Sequence, residues 1–449
     1  MKHYEIVIVG GGPAGVACAL SAKNTYPDKN IVLIRKEPTP MIPCGIPYVF
    51  STLNEVSDNI LPDTPLIANN IEVINDEVVG RANHTIVLSN SEEIAFEKLV
   101  VATGSKAVMP NIEGTEKENV FLVRKDKEYL NNLKTCIQKS KKIIILGGGY
   151  IGVEVADELA KAKKDVTIVE MMDVLLPTMD AEFGSKVKEI IEKEGGKAIT
   201  GKSVKKILGN GKVSGVELND GSKISCDLLI VSCGYKPNID LAEKFGITFE
   251  EGKGILVDAY LRTSEKNIFA IGDCAAKYDF FTGEYSNIML ASTAMAEGRL
   301  VGSNLYSIKV VRQYPGVLGS FSTKIGATAF AVSGITEKRA KARSLDYTVG
   351  IAKAVDRHPG KLPGASEVTV KLIFSTYSHT LMGAQIMGGD SVGEMINIMS
   401  VMILNKMTDI DITNLQIGTH PLLTASPIAY PIINATVDAI KKWYKYQLA

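Results

Sequence analysis

This 449-residue chain lacks an excess of either charge: 50 Lys and Arg stand against 50 Asp and Glu. Without a net field it cannot draw in nucleic acid or an anionic membrane surface, and neither partner is expected. No run of 18 apolar residues occurs, so no segment reads as a membrane span. A strand-like run begins by Tyr4, which leaves no room for a signal peptide. Cysteine is sparse as well. Cys18, Cys44, Cys136, Cys226, Cys233 and Cys274 are scattered, with no CxxC pair and no metal-ligand spacing. That argues against a metal centre or a disulfide framework and points to a soluble, cytoplasmic protein with reduced thiols. The remaining composition, 45% apolar, suffices to bury the cores of two or three domains.

What is present is glycine, in two ordered clusters. Tyr4-Glu5-Ile6-Val7-Ile8-Val9 has the pattern of a parallel strand buried on both faces. It runs into Gly10-Gly11-Gly12-Pro13-Ala14-Gly15, a helical pattern over 16–23 and a second strand over 31–34. In this order the G-x-G-x-x-G glycines permit a tight turn, the approach of a pyrophosphate and close helix packing. The helix N-terminus then faces the phosphates with its N–H groups. The fingerprint also wants an acid near position 35 to hold a ribose. Arg35-Lys36-Glu37 stands there instead, which leaves Glu37, or backbone and water, for that contact.

The pattern returns 137 residues on, from Gly10 to Gly147. A strand over 142–146 enters Gly147-Gly148-Gly149-Tyr150-Ile151-Gly152, followed by a helix over 153–162 and a strand ending at Glu170. This copy is complete. Glu170 can accept from both ribose hydroxyls and would repel a 2′-phosphate, which favours NADH over NADPH. Between the two clusters, a buried strand ends in Ala102-Thr103-Gly104, a turn small enough for backbone to lie against a flat cofactor. Hairpin-like strands are expected around 71–74 and 85–88.

A lone thiol, Cys44, centres Met41-Ile42-Pro43-Cys44-Gly45-Ile46-Pro47-Tyr48. Gly and Pro hold it on irregular backbone, where a following helix N-terminus can stabilise a thiolate.

With these motifs, and with Gly272-Asp273-Cys274 closing a run that starts at Thr263, the chain resembles the FAD- and NAD-dependent pyridine nucleotide-disulfide oxidoreductases over nearly its whole length. Within them it is similar to the single-cysteine branch of coenzyme A disulfide reductases, NADH oxidases and NADH-dependent persulfide or polysulfide reductases. Two-cysteine relatives carry a partner five residues after the first cysteine, where this chain has Val49. The resemblance implies an α/β fold with two Rossmann-like domains and an α+β dimerisation domain. The FAD domain would take 1–115 and 255–323, the NAD domain 116–254 and the dimerisation domain 324–449, in a homodimer. Gly10, Gly12, Pro13, Ala14, Gly15, Ala102, Thr103, Gly104, Gly272 and Asp273 are implied to hold FAD. Gly147, Gly149, Tyr150, Ile151, Gly152 and Glu170 belong to the second site, and Glu154 and Gly234 join the cofactor set. Tyr150 sits where relatives place a Tyr that covers the flavin until nicotinamide displaces it. Cys274 is implied to pack.

Near the C-terminus, where amphipathic helices are expected over 393–404 and 438–446, Gly418-Thr419-His420-Pro421 resembles the segment that supplies an acid-base His across the dimer in two-cysteine reductases. The Glu that orients that His is missing, since Ser426-Pro427 occupies its stretch. Many single-cysteine members carry a Tyr near here, and Tyr430 is a weaker candidate. The basic, kinked segment 356–364 reads as a surface turn or as a contact for substrate phosphates.

The resemblance implies electrons passing from NADH by way of FAD to a small sulfur substrate at Cys44. A second reading sends them to O2, as an NADH oxidase cycling Cys44 through a sulfenic acid. Pro13, where NADH peroxidases carry a His, argues against a peroxidase. A third reading is a flavin redox sensor or electron carrier for a protein partner. No fused rhodanese domain is expected after residue 449.

Overall fold

The computed structural model describes residues 1–311 and 313–447, with side chains through Lys445; Arg312 and the last two residues of the expected 324–449 domain lie outside it. The chain divides into two compact units. One gathers Met1–Asn111, Asn119–Ser140 and Ile230–Val317, and the other Ile112–Glu118, Lys141–Leu229 and the chain from Leu318 on.

The first unit is built on a parallel sheet. Strand Lys2–Val9 lies between Ile31–Arg35 and Glu93–Val101, and Glu72–Asn75 extends the sheet beyond Ile31–Arg35. Ile268–Ala270 joins the C-terminal end of Glu93–Val101, also in parallel. β-Branched residues fill the centre: Ile6, Val7, Ile8, Ile31, Val32, Val100 and Val101 are buried, as strands covered on both faces require. Glu72–Asn75 is therefore a parallel edge strand, not a hairpin arm; the hairpin is Val78–Ala82 with Thr85–Leu88. Helix Pro13–Thr25 buries Ala14, Ala17, Cys18, Ala19 and Ala22, side chains short enough for helix Ala291–Asn304 to pack closely against it.

In the second unit, strands Lys142–Leu146, Asp165–Glu170 and Lys197–Thr200 run parallel. Helices Tyr150–Lys161 and Ala181–Lys193 connect them. A five-stranded antiparallel sheet follows, ordered Phe321–Ile325, Thr328–Gly334, Leu381–Gly388, Glu367–Ser375 and Tyr347–Val355. Helix Val392–Leu404 packs on its second and third strands, and helix Pro431–Gln447 on its fourth and fifth. The last helix starts seven residues earlier than the 438–446 periodicity suggests, because Pro431 opens it; proline is tolerated in a first turn that has no use for its N–H. Among the described residues no helix is long and apolar enough to cross a membrane.

A buried ammonium holds part of this unit together. Lys371 Nζ meets Asp180 at 2.8 Å, Glu182 at 2.6 Å and Glu337 at 2.8 Å, with only 5% of its side chain exposed. Asp180 also accepts from Gln385 and from the N–H groups of Glu337 and Lys338 at the start of helix Glu337–Ala342. Burial alone would push the Glu337 carboxyl up, but hydrogen bonds and charge from Lys371 and Lys341 hold it down at about 2. Removing one partner of a buried pair typically costs about 3–5 kcal/mol, and Lys371→Met should lose stability on that scale in denaturant titration. Because the folded value of Glu337 lies below the unfolded value of about 4.3, its contribution is complete above pH ~4.3 and disappears as the pH falls toward 2. That acid limb should flatten in Lys371→Met.

Candidate active site

Cys44 stands on a tight turn of the first unit, in the 3₁₀ segment Pro43–Gly45, which passes into a second 3₁₀ turn, Pro47–Phe50. The expected helix after the thiol is thus two short turns. Asn59 fastens the segment: its Nδ2 donates to the Ile42 carbonyl at 2.9 Å, and its own carbonyl accepts from Ile42 N–H at 2.9 Å. Its side chain fills the space beside Gly45, where a Cβ would fall 1.9 Å from Oδ1. Cys44 is exposed, while Ile46, Pro47, Val49 and Phe50 are buried beneath it. Val49, where a second thiol would be needed, is fully buried.

The first glycine loop forms as expected. Gly10 has φ +126°, and a Cβ there would fall 2.1 Å from the Ala102 carbonyl oxygen, so the loop and the Ala102 turn meet backbone to backbone. Gly12 is the N-cap of helix Pro13–Thr25, and a Cβ on it would stand in open space. Ala14 and Gly15 lie in the first helical turn, whose N–H groups have no intrahelical acceptor. An open cradle rimmed by such donors fits a pyrophosphate. Thr103 donates to the Asn238 carbonyl and Gly104 accepts from Asn238 N–H, which fixes that turn. Gly234 is exposed at the start of the neighbouring strand Tyr235–Pro237, with its carbonyl bonded to Val108 N–H. Glu37 is exposed two residues past Arg35, at the end of the second strand.

Asp273 lies in the same unit, in the turn Gly272–Cys274. Ser105 donates to its carboxylate at 2.8 Å and Lys125 stands 3.6 Å away, also bonded to Ser105. Behind it, a buried ion pair grips the turn. Glu297 accepts from Gly272 N–H and from Lys277, each at 2.7 Å, and Lys277 also donates to the Gly272 carbonyl. Burial pushes the Glu297 carboxyl up against the pull of Lys277. Cys274 is fully buried, its thiol directed at the carbonyls of Val101 and Ile271, in keeping with a packing role.

The second loop, in the other unit, repeats the first. Gly147 takes φ +106°, Gly149 caps helix Tyr150–Lys161, and a Cβ on Gly149 again meets open space. The helix begins at Tyr150, not at 153, so Tyr150, Ile151 and Gly152 form its first turn. Glu170 is buried and accepts from Gly148 N–H at 2.6 Å and Met172 N–H at 2.7 Å, with lone pairs to spare for a ribose. The Tyr150 ring is half-buried and stacks on Phe321 at 4.7 Å, with planes 5° apart. Its hydroxyl is buried without a hydrogen-bond partner of good geometry, and burial drives its pKa far up, only partly offset by Thr178. One turn on, Glu154 accepts from Thr323 at 2.7 Å; burial raises its carboxyl to about 7, against the Thr323 bond and with help from the Asp157 charge.

His420 is exposed on a turn closed by Thr424. Its Nδ1 accepts from Leu422 N–H at 3.3 Å, so the neutral ring carries its proton on Nε2. His358, in the 356–364 segment, ties to the same turn through Pro421 O and Thr424 O. Tyr430 is half-buried, which raises its phenol. Asn59, Lys125, Lys277, Glu297 and Thr323 carry no motif, and no local pattern in the sequence singles them out. Among the described residues no cluster of His, Cys, Asp and Glu could hold a metal ion.

Known proteins share much of this sequence and fold. The family model described as pyridine nucleotide-disulphide oxidoreductase matches residues 4–298, and that of the family's dimerisation domain matches 321–428. An NADH oxidase of Methanocaldococcus jannaschii is 33% identical, over 97% of this chain and 98% of that one. An NAD(P)H coenzyme A polysulfide/persulfide reductase of Pyrococcus horikoshii is 31% identical, over 86% of this chain and 88% of its own. The structure of an NAD-dependent persulfide reductase from A. fulgidus superposes with a TM-score of 0.90 at 29% identity, covering 98% of this chain and 84% of that one. Two glycine cradles, an exposed Cys44 with Val49 five residues on and a C-terminal antiparallel sheet thus have one common explanation: the chain belongs to the pyridine nucleotide-disulphide oxidoreductase family.

Proposed function

We propose that this protein is a homodimeric FAD enzyme that spends NADH on the reduction of small sulfur substrates, a coenzyme A disulfide, persulfide or polysulfide, through Cys44. The observation that carries the proposal is the exposed Cys44 thiol on a braced turn, with Val49 in place of a second cysteine. One thiol suffices when the substrate brings the other sulfur. The Cys44 thiolate attacks one sulfur of the substrate, the S–S bond breaks, and the second sulfur leaves as a thiolate. The Gly10 loop and Asp273 would hold FAD, which when bound would supply the two electrons, drawn from NADH, needed to split the resulting mixed disulfide into two thiols. His420, with its proton on Nε2, is suited to protonate the departing thiolate across the dimer. Glu170 would select NADH at the second loop, and Tyr150, whose ring stacks on Phe321, would have the flavin-covering part that the resemblance implies. The division into an FAD domain, an NAD domain and a dimerisation domain over 324–449 belongs to the same proposal. The resemblance to an NADH oxidase supports a second reading, in which O2 takes the electrons and Cys44 passes through a sulfenic acid.

The two readings separate on anaerobic reduction with NADH followed by rapid mixing with coenzyme A disulfide, polysulfide or air-saturated buffer. Rapid reoxidation by a sulfur compound is expected; reoxidation by air alone would make the enzyme an oxidase. Cys44→Ser should lose sulfur-dependent turnover by on the order of a thousandfold or more, while NADH-dependent dye reduction survives. Glu154 adds a pH signature. As its carboxyl ionises near pH 7, a nucleotide whose nicotinamide ring is cationic should bind more tightly. NAD+ affinity is therefore expected to rise once between about pH 6 and 8, and Glu154→Gln to abolish the rise.

A further inference from the structure

The two glycine loops allow residue-by-residue comparison. Gly10 N–H bonds to the Ile34 carbonyl at 2.8 Å, and Gly147 N–H to the Val169 carbonyl at 2.9 Å. Arg35 and Glu170, each the next residue and the last of its strand, therefore occupy matching positions. Their stems run alike beside the second glycine. A Cβ on Gly11 would meet Arg35 Cδ at 2.6 Å and Cβ at 3.1 Å; on Gly148 it would meet Glu170 Cβ at 3.1 Å and Cγ at 3.3 Å. At the second loop this position provides a carboxylate. At the first it provides a guanidinium, which can accept nothing.

The guanidinium, however, is spoken for. The Arg35 side chain is 3% exposed. Its Nε donates to Asn75 Oδ1 at 3.1 Å and Nη2 to the Pro38 carbonyl at 3.2 Å. Nη1 and Nη2 then hold the two oxygens of Asp63 at 2.5 and 2.6 Å, a bidentate fork. A bare arginine at this strand end would favour a 2′-phosphate, as in NADP sites. Paired with Asp63 it is neutralised, and a carboxylate from 28 residues away is anchored to the side chain whose stem flanks Gly11 of the loop that lacks one. The acid is the accessible partner: its side chain is 32% exposed, and a carboxylate in a fork keeps lone pairs for further donors.

We propose that Asp63, positioned by Arg35, is the residue that binds the adenosine ribose of the dinucleotide in the first site, in place of the acid absent from position 35. Glu37 then has no part in that contact. The assignment rests on the first site binding FAD.

The test uses deflavinated full-length protein and compares its affinity for FAD with that for the FAD analogue bearing 2′-deoxyadenosine, read by flavin fluorescence. A hydroxyl bonded to a carboxylate is worth about ten- to a hundredfold in affinity, so the unaltered protein should prefer FAD by at least about tenfold. Asp63→Ala should bind FAD and the analogue with nearly equal affinity; the near-isosteric Asp63→Asn, used should the alanine variant fail to fold, should keep no more than about a few-fold preference, since its amide oxygen is the weaker acceptor. No preference in the unaltered protein overturns the assignment. So does a preference kept undiminished in Asp63→Asn and lost in Glu37→Gln. Failure of the unaltered protein to bind either flavin would instead overturn the flavoprotein reading itself.

Discussion

A single steric fact underlies the first site: the carbonyl oxygen of Ala102 lies where a Cβ on Gly10 would be, 2.1 Å away. Only glycine lets the turn after strand Lys2–Val9 touch the turn after strand Glu93–Val101. Hydrogen bonds close the junction, from Ala102 N–H to Val9, from Gly10 N–H to Ile34 and from Ile271 N–H to Val101. Each joins the carboxyl ends of neighbouring parallel strands. The glycine cradle, the Ala102-Thr103-Gly104 turn and Asp273 are thereby brought to one edge of one sheet, the edge where open α/β sheets place their ligands. The cradle depends on that contact and not on any side chain within it.

The features legible in the sequence are those that the backbone dictates locally. Runs such as Ile6-Val7-Ile8-Val9 could be read as doubly covered strands because their burial leaves no polar face. The glycine loops could be read because a tight strand-to-helix turn has few chemical solutions. Pattern and structure part where a residue's meaning depends on its place in a helix. Tyr150 opens its helix because Gly149 caps it, and Pro431 begins one where a proline is more often read as a break. What the sequence concealed are partnerships across long separations: Arg35 with Asp63, Lys277 with Glu297, Lys371 with Asp180. An unexpected arginine at position 35 was visible. Its carboxylate was not, because nothing local ties residue 63 to it.

Those three pairs share a logic. A buried ion pair adds little net stability over well-packed apolar residues, but losing one partner is costly. Such pairs therefore specify position more than they strengthen the fold. Arg35 locates Asp63 beside a nucleotide loop. The Lys277–Glu297 pair holds both the N–H and the carbonyl of Gly272, and so the aim of Asp273. Lys371 gathers acidic groups from the N-terminal ends of two helices. In a chain of zero net charge, these cations act by geometry and not by field.

The same economy bears on the thiols. Burial pushes the thiols of Cys18, Cys226 and Cys274 up, Cys226 to about 12, which removes them from nucleophilic chemistry at neutral pH. Exposure alone does not single out Cys44, since Cys233 is exposed too. The difference lies in the support. Cys44 sits on 3₁₀ turns whose apolar residues are buried and whose backbone is latched by Asn59, a frame that can present one sulfur in a constant direction. A two-cysteine enzyme can tolerate movement of its first thiol, because the second stays tethered within reach. Under the proposed function, with Val49 in that place, the attacking sulfur must be held still while its partner arrives from solution. In that reading the bracing of the 41–50 segment by Asn59 and its buried apolar residues is the structural counterpart of the missing second cysteine.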